Sequence, residues 1–448
     1  TSSPTAGADY NGNIKAARWA NKGIAGDYSG STANQKGYLY NYNRNNWLTG
    51  ATFGNTNSST AVISPITGLA EGGLTYDANG NIQTLQRTND AGTIVDKLTY
   101  NYTNTGTNQL NSITESAVVT ADVTDIENQS SGNYVYDAIG QLKQNVSENL
   151  YYFYNTQGLV TEVKKGSNTI VKFFYNERGQ RIKKESYNTT TFVLQNTTYY
   201  QLDLSGNTMA VYSLPNGGSI TQVELAIYGL NRLGIYKKAS GISSYEIKDH
   251  IGNVRAVIEK ENDLPAIKSY ADYYPFGELL PNRNSLNYRY AFQGQEKDSE
   301  TQMEAFQLRL WDGRIGRWLS TDPYGQYSSP YLGMGNNPVS SIDPDGGWET
   351  RFGAWLGSFF DGRSGGTIFK SERGDFGIRY DGTYDSDGAI AYAPNFGGKR
   401  YDVPETALFG LITNPNPYHP IESYREYRDY PLYHPGETWT DKWAGGKS

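Results

Sequence analysis

The chain has no cysteine among its 448 residues. Disulfides and thiolate metal sites are therefore excluded, although that absence does not fix the compartment. Hydrophobic residues make up only 37%. No run of 18 apolar residues occurs, so no segment reads as a membrane-spanning helix. Positive charge is in short supply: the net charge is −7 and the pI about 5.2. That disfavours a nucleic-acid-binding surface. The chain starts at Thr1 without Met, and no basic-then-apolar leader follows. It reads as a fragment of a longer precursor, with any targeting signal cut off or outside the sequence. The Ala, Leu, Glu and Lys richness of long-helix proteins is also missing. Gly (50) and Tyr (38) dominate instead, which predicts a mostly β protein.

What is present is a motif that recurs. It runs Tyr, Asp or Asn, two variable residues, Gly, one or two more, then an apolar residue. It stands at Tyr76-Asp77-Ala78-Asn79-Gly80-Asn81-Ile82, Tyr136-Asp137-Ala138-Ile139-Gly140-Gln141-Leu142, Tyr154-Asn155-Thr156-Gln157-Gly158-Leu159-Val160 and Tyr175-Asn176-Glu177-Arg178-Gly179-Gln180-Arg181-Ile182. Asp or Asn opens a type I turn because its side chain can bond the backbone two residues on. Gly three residues later takes the left-handed conformation that closes a bulged hairpin. Aromatic and β-branched residues on either side supply the strands. Each copy predicts a β-hairpin, and a repeated hairpin predicts one continuous array. Weaker copies begin at Tyr10, Tyr38 and Tyr200; the copy over Tyr38 to Leu48, around Tyr42, has Asn where Gly usually stands. Residues 101–132, rich in Thr and Asn, read as a long hairpin or surface loop. The run Leu150-Tyr151-Tyr152-Phe153-Tyr154 does not alternate. It reads either as a strand enclosed on both faces or as aromatic cross-strand pairing on an ordinary sheet.

Three regions follow: repeats over 1–240, denser and non-periodic motifs over 241–346, and a different segment over 347–448. In the last, Trp348, Phe352, Trp355, Leu356, Phe359 and Phe360 form a helical stripe ended by Asp361-Gly362. The stripe reads as a helix packed on protein rather than on a membrane surface, since its polar face carries little positive charge.

These motifs resemble those of rearrangement-hotspot (Rhs) and YD-repeat proteins over roughly residues 30–346. Tyr245-Glu246-Ile247-Lys248-Asp249-His250-Ile251-Gly252-Asn253-Val254-Arg255 is similar to the Rhs Asp-His-Leu-Gly signature. Tyr274-Pro275-Phe276-Gly277 follows, then Phe292-Gln293-Gly294-Gln295-Glu296-Lys297-Asp298. Next come Leu310-Trp311-Asp312-Gly313-Arg314-Ile315-Gly316-Arg317-Trp318-Leu319-Ser320-Thr321-Asp322-Pro323, Asn336-Asn337-Pro338 and Asp343-Pro344-Asp345-Gly346. Their order resembles the Rhs repeat-associated core domain, in wording most like versions from Bacteroidetes. The resemblance implies an all-β fold. Antiparallel YD-repeat hairpins would spiral into a hollow shell closed by the core domain, followed by a small mixed C-terminal segment. Related shells occur in insecticidal Tc toxins and in teneurins. It also implies a secreted or cell-surface protein whose variable C-terminal segment is held inside, often as a toxin, and in several members is cut free by an aspartic self-protease. The expected partners are the rest of its own precursor or shell, a possible immunity protein for the C-terminal segment, and secretion machinery. Without a toxin, the chain would be a structural or adhesive shell. No cofactor and no metal is implied.

Peptide hydrolysis by two carboxylates needs one ionised to activate water and one protonated to serve the leaving group. Two Asp-Pro turns, Asp322-Pro323-Tyr324-Gly325 and Asp343-Pro344-Asp345-Gly346, match the family's paired motif. Asp322 and Asp343 are thus the expected pair, Arg317 a charge partner, and the bond after Gly346 the expected cut. Asp-Pro-x-Gly is equally an ordinary turn sequence. Self-cutting members commonly carry an apolar residue, usually Leu, after the second motif; here Gly347-Trp348 stands there. His250 reads as a structural turn residue. His419 and His434, both in Tyr-His-Pro contexts, are weaker catalytic candidates in the tail. That tail carries eleven Lys and Arg against fourteen Asp and Glu, which does not suit a nuclease.

Overall fold

The turn chemistry sets the architecture. In the computed structural model, Asp77 Oδ1 accepts the amide N–H of Asn79 and Asn81, both at 2.9 Å. Asp137, Asn155 and Asn176 do the same for the residues two and four positions on. Gly80, Gly140, Gly158 and Gly179 have φ of 86°, 87°, 82° and 73°, the left-handed region that a side chain disfavours. Where the copy near Tyr42 lacks Gly, Asn46 takes φ 62° itself, as Asn does more readily than other residues. Asn89 builds the same turn without a preceding Tyr.

The structure describes residues 12–347, apart from 22, 25–26, 30–31, 34, 57–61, 104–106, 118–124 and 286, together with short strands further on. The chain divides into two compact units, 1–352 and 353–448. In the first, an eight-stranded sheet runs from Ala16–Trp19 to Leu110–Glu115, with Ile63–Pro65 beside Leu48–Thr56. A fourteen-stranded sheet runs from Tyr134–Tyr136 to Leu279–Ser285, each strand antiparallel to the next in sequence. The meander does not stop near residue 240, where the motifs change density; the turns at Asp249 and Tyr274 continue it. Residues 101–132 contribute a hairpin, Ile94–Tyr102 with Leu110–Glu115. Leu150–Tyr154 has one buried face: Tyr152 is buried and Phe153 exposed, with Lys164 Nζ 5.0 Å from the Phe153 ring centre. In the second unit, Thr367–Lys370 pairs with Phe376–Arg379, and Asn395–Phe396 with Lys399–Arg400. Among the described residues no helix is long and apolar enough to cross a membrane.

The motif tyrosines have a role that the turn pattern does not reveal. Tyr42, Tyr76, Tyr102, Tyr154, Tyr175, Tyr228 and Tyr273 each donate their hydroxyl to a backbone carbonyl of the preceding hairpin: Ile14, Leu48, Ile82, Leu142, Val160, Thr208 and Val254, respectively. The acceptor is the residue that starts the return strand, except Ile14, which lies just ahead of Ala16–Trp19. These seven tyrosines clip their hairpins to the chain before them, and each shielded hydroxyl finds its partner.

After Ser285 the architecture changes. Glu296–Asp298, Met303–Ala305, Leu310–Asp312 and Arg317–Trp318 form a small four-stranded meander. Trp311 and Trp318 pack edge to face at 5.0 Å in its centre, and Phe306 meets Trp318 at 4.9 Å. This core binds both sheets. Tyr331 donates to Gly140 O at 2.7 Å and Asn336 to Gly80 O at 2.7 Å, so motif turns are its docking points. Arg181 grips Asp298 with two bonds of 3.0 and 3.1 Å, and Lys184 joins them at 3.1 Å. Burial pushes the Glu296 carboxyl up, but Lys184, Arg289 and Arg181 outweigh it and hold it down at about 2.

Glu304 shows the opposite balance. It is 1% exposed, and burial pushes its carboxyl up to about 7 against the pull of Lys297. A carboxyl raised in the folded state stabilises the fold below its unfolded pKa, and that contribution is lost as pH rises through the folded one. Stability is therefore expected to fall between about pH 4.5 and about 7. Glu71 and Glu278, also raised by burial, act in the same direction. Glu304→Gln should lessen the slope of melting temperature against pH in that window without abolishing it; an unchanged slope would show that Glu304 does not carry it.

Candidate active site

The two Asp-Pro turns come together in the core. Asp322 follows the strand Arg317–Trp318 and is fixed by its backbone N–H, which donates to Pro330 O at 2.9 Å. Its carboxylate closes its own turn, accepting from Tyr324 N at 2.9 Å and Gln326 N at 3.0 Å. Asp343 follows Ser341–Ile342, and its backbone N–H donates to Gln293 Oε1 at 2.9 Å. Both motifs thus use the Asp side chain to order the turn behind it, as the turn reading requires. They also share one cation. Arg309 Nη2 lies 3.9 Å from Asp322 Oδ1 and 3.5 Å from Asp343 Oδ2. The side chains of Arg309, Asp322 and Asp343 are 2%, 5% and 0% exposed. In such a setting ionic and hydrogen-bonding interactions are stronger than in water.

The Gly346–Gly347 peptide runs through this cluster. Asp343 Oδ1 accepts from Gly346 N at 2.7 Å and Gly347 N at 3.1 Å. Gly346 O accepts from Arg309 Nε. Gln326 Nε2 donates to Gly347 O at 2.6 Å. The carbonyl of the peptide is held by a guanidinium and its nitrogen by the Asp343 carboxyl group. The guanidinium is itself immobilised, donating to Pro330 O at 3.3 Å and lying 4.3 Å from the Trp318 ring centre.

Arg317 is elsewhere. It donates to Asn81 Oδ1, Tyr102 OH and Asn108 O, at 3.3, 3.2 and 2.6 Å, and ties the core to the first sheet. Arg309 takes the place at the carboxylates expected for Arg317. A signal for it exists in the sequence: in Leu308-Arg309-Leu310-Trp311, Arg309 shares a strand face with Trp311. A cation on a core face demands an anion. His250 occupies a turn, its Nε2 2.8 Å from Val339 O. His419 and His434 lie outside the described residues. So does most of the helical stripe, although Thr350–Arg351 within it pairs as a strand with Ser341–Ile342. Among the described residues no group of three or more His, Asp or Glu is placed to hold a metal.

A sequential antiparallel meander clipped by tyrosines, with a core seated on its turns, defines a YD-repeat shell protein. The Teneurin YD-shell family matches residues 32–331, and the chain belongs to that family. Asp322 lies inside the matched region and Asp343 beyond it. Salivary gland surface protein 1 of Aedes aegypti is 34% identical over 195 residues, 41% of this chain and 6% of that protein. The chain thus spans a small fraction of this curated relative. Among solved structures, the TcdB2–TccC3–Cdc42 crystal structure matches 70% of this chain and 17% of its own at 18% identity, with a TM-score of 0.46. The Tc holotoxin pore of Photorhabdus luminescens matches 69% of this chain and 15% of its own at 19% identity, with a TM-score of 0.47.

Proposed function

We propose that this chain is the closing end of a hollow, secreted or cell-surface YD-repeat shell that severs residues 347–448 from itself by hydrolysing the Gly346–Gly347 bond. The observation that carries the reading is the grip on that peptide: Arg309 on Gly346 O, Asp343 on Gly347 N. Water adds to the Gly346 carbonyl carbon and gives a proton to Asp322. The charge that develops on Gly346 O falls on the Arg309 guanidinium, a preorganised donor. The C–N bond then breaks as the proton on Asp343 passes to the Gly347 nitrogen, leaving a Gly346 carboxyl and a Gly347 amine. The proton taken by Asp322 equals the one given by Asp343, so the pair completes one turnover with its proton moved across.

The freed segment would act as a toxin in competition between bacteria, with an immunity protein as its binding partner. The purified chain is expected to appear as two masses that meet at Gly346 and Gly347. Asp322→Asn and Asp343→Asn variants should each stay whole. A wild type that stays as intact as both variants would overturn self-cleavage. A second reading, a structural or adhesive shell without chemistry, draws support from the surface protein of Aedes aegypti, the 34% identical relative. Expression of residues 347–448 inside a bacterium separates the two: loss of viability supports the toxin, normal growth the inert shell.

A further inference from the structure

The two glycines that flank the proposed cut are required for different reasons. Gly346 has φ 84°, so its backbone alone selects against other residues. A Cβ there would also stand 2.7 Å from Phe306 Cβ and 3.1 Å from Arg309 N. Gly347 is not among the left-handed glycines. Nothing in its backbone excludes a side chain. Space excludes it instead: a Cβ at Gly347 would meet Leu308 Cδ1 at 2.6 Å and Tyr324 Cε2 and Cδ2 at 2.6 and 3.0 Å.

We infer that Tyr324 is the specificity-determining residue of the cut, filling with Leu308 the room beside Gly347 so that the site takes glycine after the scissile bond and refuses a branched side chain. This rests on the self-cleavage reading and adds to it which sequence can be cut. The backbone of Tyr324 is tied to the cluster. Tyr324 N donates to Asp322 Oδ1 at 2.9 Å, so the blocking ring rides on the same turn as the carboxylate that activates water. On the same turn, Gln326 Nε2 holds Gly347 O at 2.6 Å, which ties residue 347 to it. A leucine at 347 therefore displaces either the Tyr324 turn, and Asp322 with it, or the peptide between Arg309 and Asp343. Either displacement spoils the alignment on which the reaction depends. Tyr324 is 56% exposed, so shortening it opens a recess to solvent rather than a void in the core.

The test is a series at position 347 in two backgrounds, read as the fraction of full-length chain cut over time by intact mass. Gly347→Ala asks only that movable side-chain ends shift, and should cut within a few-fold of wild type. Gly347→Val and Gly347→Leu should be slower by about tenfold or more, since overpacking of this size moves barriers by that factor. In the Tyr324→Ala background, Gly347→Leu should regain most of that loss. A merely structural role for Tyr324 predicts the reverse, with the double variant slower than Gly347→Leu alone. A melting curve on each variant identifies any that fails to fold, and Gly347→Val then replaces Gly347→Leu. The inference is overturned if Gly347→Leu cuts at the wild-type rate, or if Tyr324→Ala brings no recovery. The self-cleavage reading fails separately, if wild type cuts no faster than Asp322→Asn.

Discussion

Arg309→Met is expected to stop release of residues 347–448 and to weaken the core at the same time. The two effects have one origin. Arg309 is the cation shared by Asp322 and Asp343, and its guanidinium also holds the Gly346 carbonyl. Removing a preorganised donor from a developing oxyanion slows such reactions by about 10²–10³-fold. Removing the partner of a buried carboxylate costs about 3–5 kcal/mol, because the charge left behind has lost its compensation. Arg309→Lys separates the effects. A lysine restores a positive charge but not a planar fork that can serve two carboxylates and a carbonyl together. It should recover much of the stability and little of the cutting. The measurements are a chemical denaturation midpoint and the rate of appearance of the Gly347 fragment. An Arg309→Met protein that cuts at the wild-type rate would remove Arg309 from the mechanism.

The second large effect is expected at Arg87, which has no bond to Asp322, Asp343 or the Gly346–Gly347 peptide in the contacts described. Its side chain is 1% exposed and pairs with Glu71, itself 0% exposed, at 2.7 Å. It also donates to Arg314 O at 2.7 Å and Gly313 O at 3.0 Å, and its guanidinium carbon lies 5.3 Å from the Tyr274 ring centre. One residue thus fastens the eight-stranded sheet to the core. Arg87→Met leaves Glu71 buried without its main compensation and should cost about 3–5 kcal/mol. Burial already pushes the Glu71 carboxyl up against the pull of Arg87, so in the variant it should take up a proton. Glu71→Gln added to Arg87→Met should then recover part of the loss, as expected for residues in direct contact. Equal losses in the single and double variants would show that the ion pair is not the source of the effect. Cutting should be retained in any Arg87 variant that still folds, which separates anchoring from chemistry.

The hairpins were legible because their instructions are local. Asp77, Gly80 and Ile82 lie within one turn, and the bonds that fix the turn are made inside it. Even the substitution of Asn46 for glycine could be read, since Asn tolerates the same φ. The tyrosine clips were not legible. Tyr154 and Leu142 are twelve positions apart, and nothing in either says that the two will meet. The pairing of Asp322 with Asp343 came from resemblance, and spacing alone read both as turns. Each is a turn as well as a member of the cluster, so neither description excludes the other. Arg317, the expected charge partner, is not the cation at the carboxylates; Arg309 is. The fold sends Arg317 across to Asn81 and Asn108, and brings in Arg309 from just ahead of the strand Leu310–Asp312. Gly347 departs from the leucine that the resemblance implies; in the fold it faces Leu308 and the Tyr324 ring, which a larger side chain has to push aside.

The clips also give the array a direction. Each of the seven clip tyrosines reaches back to a carbonyl earlier in the chain. A chain that appears N-terminus first, from a ribosome or through a narrow channel, always finds its acceptor already in place. Construction can then advance one hairpin at a time, each new piece latched as it arrives, with no long wait for a distant partner. A break from the C-terminal end leaves every remaining latch fastened. A break from the N-terminal end leaves the first surviving tyrosine with nothing to hold.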